Sequence, residues 1–225
     1  MNPRYVSSAL LMVLPMVLCM SLMTPAAAHE REAAVPLKGA LLVPKDLGSE
    51  FAHRGYLTDG LRQPTFKHTK ACGAAAKAAA GVYRTKVTTA IKHKERWEGI
   101  SEYIVSGTRH KISTLERAAK DVVRHCQKIT IKTWGSQDII RKLSIGRLGD
   151  ATYGIKFRSG FPDGDLERDS ELPAEMMVAI DIVIIRVGNT LIVLEHDGNV
   201  GQFDPKLTKS AAKTAVARLK NQHPH

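Results

Sequence analysis

Cys19, Cys72 and Cys126, the pair His196-Asp197, and the alternating carboxylates Asp163, Asp165, Glu167, Asp169 and Glu171 are the residues of this 225-residue chain with the chemistry for catalysis or metal binding. None has the spacing that such chemistry needs. No C-x-x-C brings two thiols onto one turn, no H-E-x-x-H puts two imidazoles on one helix face, and no G-x-S-x-G elbow presents a nucleophile. His110 and His125 lie on one predicted helix but about 22 Å apart along its axis, too far to share an ion. The alternating carboxylates lack the glycine and the fixed intervals of a calcium loop and read as a solvated acidic loop. His196-Asp197 precedes Gly198-Asn199, which reads as a turn, so the pair is expected just after the last strand. His223 and His225 belong to a frayed tail. No catalytic residue, metal site or cofactor is expected, and the chain reads as a binding protein rather than an enzyme.

The positively charged residues are the other candidates. Lys and Arg number 33 against 22 Asp and Glu. Residues 1–28 carry one charge, Arg4, then an apolar run from Ala9 to Met23 and the small-residue site Ala26-Ala27-Ala28, the order of a cleavable secretory signal. The run is about 15 residues, short of the roughly 20 a spanning helix needs, and Pro15 interrupts it. Leu18 before Cys19 does not fit a lipidation site, which takes a small residue there. With the signal removed the net charge is about +10 (33 − 1 − 22), an excess that favours anionic partners. Export disfavours nucleic acid as that partner. The strongest later apolar run, Met176 to Leu194, is broken by Asp181, Arg186 and Asn189, so no stable membrane insertion is expected after signal cleavage. Cys72 and Cys126 are then the thiols left in an exported chain, and they are expected to form one structural disulfide.

The elements that must position these groups follow from periodicity. His29 to Pro36 is a flexible N-terminus, and 37–221 forms one domain. Phe51 to Tyr56 is a first strand, Leu57 to Thr69 a loop, and Ala71 to Ala80 an alanine-rich helix carrying Cys72. Tyr83 to Lys92 alternates, with Tyr83, Val87 and Ile91 on one face and Arg84, Lys86 and Lys92 on the other, and Trp97 to Val105 is its hairpin partner. Thr108 caps a helix running to Cys126, with Ile112, Leu115, Ala119, Val122, Val123 and Cys126 as its apolar stripe; Lys111, Arg117, Lys120 and Arg124 fall outside it and are expected to be solvated. Lys128 to Trp134 and Ala151 to Arg158 alternate again, with Lys128, Lys132, Lys156 and Arg158 outward. The acidic loop spans Ser159 to Pro173. Met176 to Val187 and Thr190 to Glu195 flank the tight turn Gly188-Asn189, and their continuous apolar residues place that hairpin mid-sheet. Thr208 caps a terminal helix. The sum is an α+β domain: an antiparallel β-sheet of about six strands, flanked by helices, with one disulfide. Arg84, Lys86, Lys92, Lys128, Lys132, Lys156 and Arg158 are the candidate ligand-binding residues, the alternative being the polar exterior that strands usually carry; Trp97 or Trp134 would line a pocket or, as is commoner, belong to the core.

Several segments in this order resemble a known family: ALLVPKDLGSEF (Ala40 to Phe51), the early Cys72, the helix ending in Cys126, LSIGRLGDATYGIKF (Leu143 to Phe157), DIVIIRVGNTLIVLEHDG (Asp181 to Gly198) and the terminal helix. Together they resemble the extracytoplasmic sensor domain of actinobacterial Ser/Thr kinases of the PknH type, with its stand-alone secreted and lipoprotein relatives, over most of Leu37 to Leu219. The resemblance implies an antiparallel sheet with flanking helices, a disulfide and a cleft for an unidentified ligand. This sequence departs from the kinase form in having no kinase domain, no membrane helix and one cysteine pair where two are expected. The second bridge, signalling by the same chain and any ligand-binding residue of the family therefore do not carry over. The expected function is a secreted, non-catalytic, sensor-like domain that binds an anionic or amphipathic cell-envelope component. The alternative is an extracellular module that docks an exported enzyme or receptor.

Overall fold

Among the described residues, alternation and apolar runs build eight strands, and alanine-rich or amphipathic stretches build three helices. In chain order they are β1 (Phe51–His53), α1 (Lys70–Ala79), β2 (Thr88–His93), β3 (Glu98–Ser106), α2 (Arg109–Cys126), β4 (Lys128–Thr133), β5 (Ser136–Lys142), β6 (Ala151–Phe161), β7 (Val178–Val187), β8 (Thr190–Asn199) and α3 (Pro205–Gln222). The computed structural model describes residues 37–133, 136–161 and 177–222, all within the compact unit Ala34–His225. The expected signal peptide, the N-terminal stretch 29–36, Trp134, the acidic loop from 162 onward, and His223 and His225 lie outside the described residues.

The strands form one antiparallel sheet in the order β1-β2-β3-β8-β7-β6-β5-β4. The chain meanders through β1 to β3, and α2 then carries it across one face to the far edge. It meanders back from β4 until β8 pairs with β3 over nine residues, Glu98↔Gly198 to Ser106↔Thr190. Gly188, at φ 56, makes the two-residue turn between β7 and β8. Because those two strands sit at the centre, their alternate residues supply two cores. Ile180, Ile182, Ile184, Leu191 and Val193 meet α1 and α2 on one face. Val183, Ile185, Ile192 and Leu194 meet α3 and the segment around Leu42 on the other.

Thr69 and Thr108 cap α1 and α2, their hydroxyls accepting from the amides of Cys72 and Lys111. Ala75, Ala76 and Ala79 keep α1 slim enough to lie against α2. The disulfide Cys72–Cys126 joins the two helices, with Cα atoms 5.1 Å apart. Among the described residues no helix is long and apolar enough to cross a membrane.

The structure corrects four expectations. The sheet has eight strands, not about six, and the one without a counterpart among the segments read from the sequence is Ser136–Lys142, β5; its adjacent Ile139 and Ile140 bury on opposite faces and leave no alternation to read. Ala80–Arg84 is a 3-10 turn continuing α1, not a strand, because the Tyr83 hydroxyl is drawn inward to Glu195. Short 3-10 turns at Gly60–Arg62 and Pro64–Lys67 occupy the expected loop. Finally, β8 runs on through His196-Asp197 to Asn199, and α3 starts at Pro205, where the Asp204 side chain accepts from the amide of Lys206; Thr208 lies inside that helix, 2 % exposed.

Candidate functional site

The polar end of β8 is buried, and each face of the sheet satisfies it separately. On the α1–α2 face, Asp197 receives a two-pronged contact from Arg54, at 2.6 and 2.9 Å, and the same guanidinium reaches Ser101 at 2.8 Å. Glu195 accepts from the Tyr83 hydroxyl and from the amide of Gly60 at 2.8 Å. Burial drives both partners of the Tyr83–Glu195 pair upward, so the carboxyl holds its proton far above the ordinary range.

On the α3 face, His196 is 1 % exposed and stacks on Phe203 with ring centroids 4.0 Å apart. Its Nε2 lies 3.1 Å from Glu98 and its Nδ1 2.8 Å from Thr208, whose hydroxyl donates to Asp181, which in turn holds Arg158 at 2.8 Å. Burial alone would raise the Glu98 carboxyl, but His196, the amide of Asp204 and Arg96 outweigh it and hold it below its usual range. His196 thus spends both ring nitrogens inside the fold.

Open surface begins at the other end of the sheet. A groove of about 640 Å³ runs between the C-terminal half of α2, the end of β5, the connection to β6 and the first residues of β6. From α2 come Lys120, Val123 and Arg124, with Gln127 just past its end, spaced i, i+3, i+4 and i+7, hence one helix face. Lys142, Leu143, Ile145 and Arg147 come from the opposite wall. Gly154 lets that wall close up: a Cβ there would stand 2.5 Å from the Leu143 carbonyl oxygen. Lys120, Arg124 and Lys142 have no carboxylate partner among the described residues, and Arg147 reaches only the Gly149 carbonyl at 3.3 Å. The lining carboxylate, Asp150, already accepts from the amide of Gly188 at 2.7 Å. Tyr153 donates to Glu116 at 2.9 Å, and burial together with that carboxylate pushes its hydroxyl up to about 12. The groove therefore joins four cations to an apolar strip, which is the chemistry for an anionic head on an apolar tail.

The seven cations singled out in the sequence divide. Lys128, Lys132, Lys156 and Arg158 come to one face, the α3 side of β4 to β6, where Lys128, Arg141 and Lys156 form a cross-strand row. Arg158 there is tied to Asp181 and lies over the Phe203 ring at 4.7 Å. Arg84 sits in the 3-10 turn, Lys86 precedes β2, and Lys92 is on the opposite face of β2. None of the seven lines the groove. Its own cations escape a strand-based reading because Lys120 and Arg124 stand outside the apolar stripe of α2, and their i, i+4 spacing beside Val123 is the available sign.

No family model and no curated protein matches the chain. Among solved structures it is similar to the extracellular domain of PknH from Mycobacterium tuberculosis, at 11 % identity and a TM-score of 0.36, over 59 % of this chain and 64 % of that one. The alignment thus spans less than two thirds of the PknH domain, and it does not make the chain a member of that family.

Proposed function

We propose that this chain is a non-catalytic, sensor-like binding domain that works outside the cytoplasm and holds an anionic, amphipathic envelope component in the groove beside α2. The observation that carries the reading is the set of four cations, Lys120, Arg124, Lys142 and Arg147, around Val123, Leu143 and Ile145, against a single lining carboxylate, Asp150. Such a site attracts a phosphate, sulfate or carboxylate head while the strip between the cations takes alkyl carbon. The leader-like first 28 residues and the Cys72–Cys126 bridge support an oxidising location.

Dodecyl phosphate and phosphatidylglycerol vesicles are suitable probes. Binding of the 29–225 chain should weaken steeply as salt rises. Lys120→Glu with Arg124→Glu should abolish it, whereas Lys128→Glu with Lys156→Glu, on the other face, should leave most of it. Binding indifferent to salt, or lost equally in both pairs, would remove the groove as the site.

A further inference from the structure

A second cleft has the opposite chemistry. It encloses about 390 Å³ beside the 3-10 turn Pro64–Lys67, within the range of small-molecule sites. Pro64, Phe157, Val178 and Ile180 give it apolar walls, and Trp97, 46 % exposed, stands at its margin. Two carboxylates reach it. Asp197 is neutralised by Arg54 at 2.6 Å. Asp138 is not: its oxygens accept from the hydroxyls of Thr65, at 2.7 Å, and Ser159, and no lysine, arginine or histidine of the described residues pairs with it. Among the described residues, a carboxylate without a cationic partner in an apolar cleft is a selective feature.

We infer that this cleft is a binding site for a primary ammonium group carried on a short apolar stem. Each carboxylate oxygen of Asp138 retains a lone pair after its hydroxyl contact, and the oxygens of Thr65 and Ser159, having donated their protons, retain theirs. That gives a cluster of acceptors around one negative charge, matched to the three donors of an –NH3+ group. Phe157, Val178 and Ile180 take the stem, and Trp97 adds an aromatic ring to the lining that can attract a cation. A carboxylate or phosphate ligand would meet Asp138 head on, so the cleft discriminates against the ligand class that suits the groove beside α2. This inference does not rest on that groove.

Calorimetric titration of the disulfide-bonded 29–225 chain with hexylammonium, hexanol, hexanoate and hexyltrimethylammonium tests it. Hexylammonium should bind at least roughly tenfold more tightly than the other three. Asp138→Asn, which keeps an acceptor for Thr65 and Ser159 but no charge, should bring hexylammonium down to the level of hexanol. Trp97→Ala, a change at an exposed position that leaves the fold intact, should weaken it several-fold. Lys120→Glu with Arg124→Glu should leave it unchanged, so failure of the anionic groove would not be mistaken for failure here. Equal binding of hexanol or of the quaternary ion, no binding by the folded chain, or an undiminished Asp138→Asn variant would overturn the inference.

Discussion

Replacing Glu102 with glutamine should flatten the pH dependence of stability between about pH 5 and pH 8. Glu102 is fully buried on the α3 face of β3, where it accepts from the amide of Leu42 at 2.7 Å, and its other oxygen has no partner among the described residues. Burial pushes its carboxyl up to about 8, against 4.5 when solvated, although the Leu42 amide and Arg218 pull the other way. Between those two values the folded chain holds a proton that the unfolded chain has released. Stability from this group is therefore intact below about pH 4.5 and is lost as pH rises toward 8, at a little over 1 kcal/mol per pH unit, on the order of 5 kcal/mol across the window. Glu195, also raised by burial, acts in the same direction. Glu98, held low, loses its contribution only on the acid side of this window. The amide introduced by Glu102→Gln keeps an oxygen for Leu42 and cannot ionise, so about half of the slope should vanish. Urea unfolding at a series of pH values measures it. An unchanged slope in Glu102→Gln would mean that Glu102 does not hold its proton in the folded chain.

Thr208→Val should cost about 2 to 3 kcal/mol in chemical denaturation, because it strips a buried donor from Asp181 and a partner from His196, while Thr208→Ser should recover most of it. Removing the bridge with Cys72→Ala and Cys126→Ala frees a loop closed at a separation of 54 residues and should cost about 4 kcal/mol by the same assay. Gly154→Ala should destabilise by about 1 to 3 kcal/mol and weaken dodecyl phosphate binding, since the new methyl forces the Leu143 backbone outward. Arg54→Met leaves the buried Asp197 carboxylate unpaired and should lower stability by about 3 to 5 kcal/mol; a neutral result would mean the ion pair contributes nothing.

The fold is legible in the sequence where one periodicity runs unbroken. The cap Thr108, the turn Gly188-Asn189, the apolar stripe ending at Cys126 and the alternation of Tyr153, Ile155 and Phe157 each mark their element correctly. It is illegible where tertiary contacts override local pattern. Tyr83 looks like a strand residue by its neighbours, but a buried carboxylate 112 positions away fixes it in a turn. His196 and Asp197 look like a strand's end because Gly198-Asn199 follows them; they continue the strand because Glu98 and Arg54 satisfy them from opposite faces. The pairing of β3 with β8, which creates the sheet's centre, has no local sign at all.

The candidate sites follow the same logic. Strand alternation brings Lys128 and Lys156 onto one face, but a groove also needs a wall, and the wall beside α2 depends on where the β5–β6 connection lies. Asp138 becomes a candidate only once β5 exists and Thr65 and Ser159 surround it.

Amide and methyl shifts of the labelled 29–225 chain, followed during titration with dodecyl phosphate, locate where the ligand sits. Val123, Leu143, Ile145 and Gly154 should move first and together, and Lys120→Glu with Arg124→Glu should silence them. Shifts confined to Lys128, Arg141 and Lys156 on the opposite face, or no shift in a folded chain, would contradict the groove beside α2 as the site.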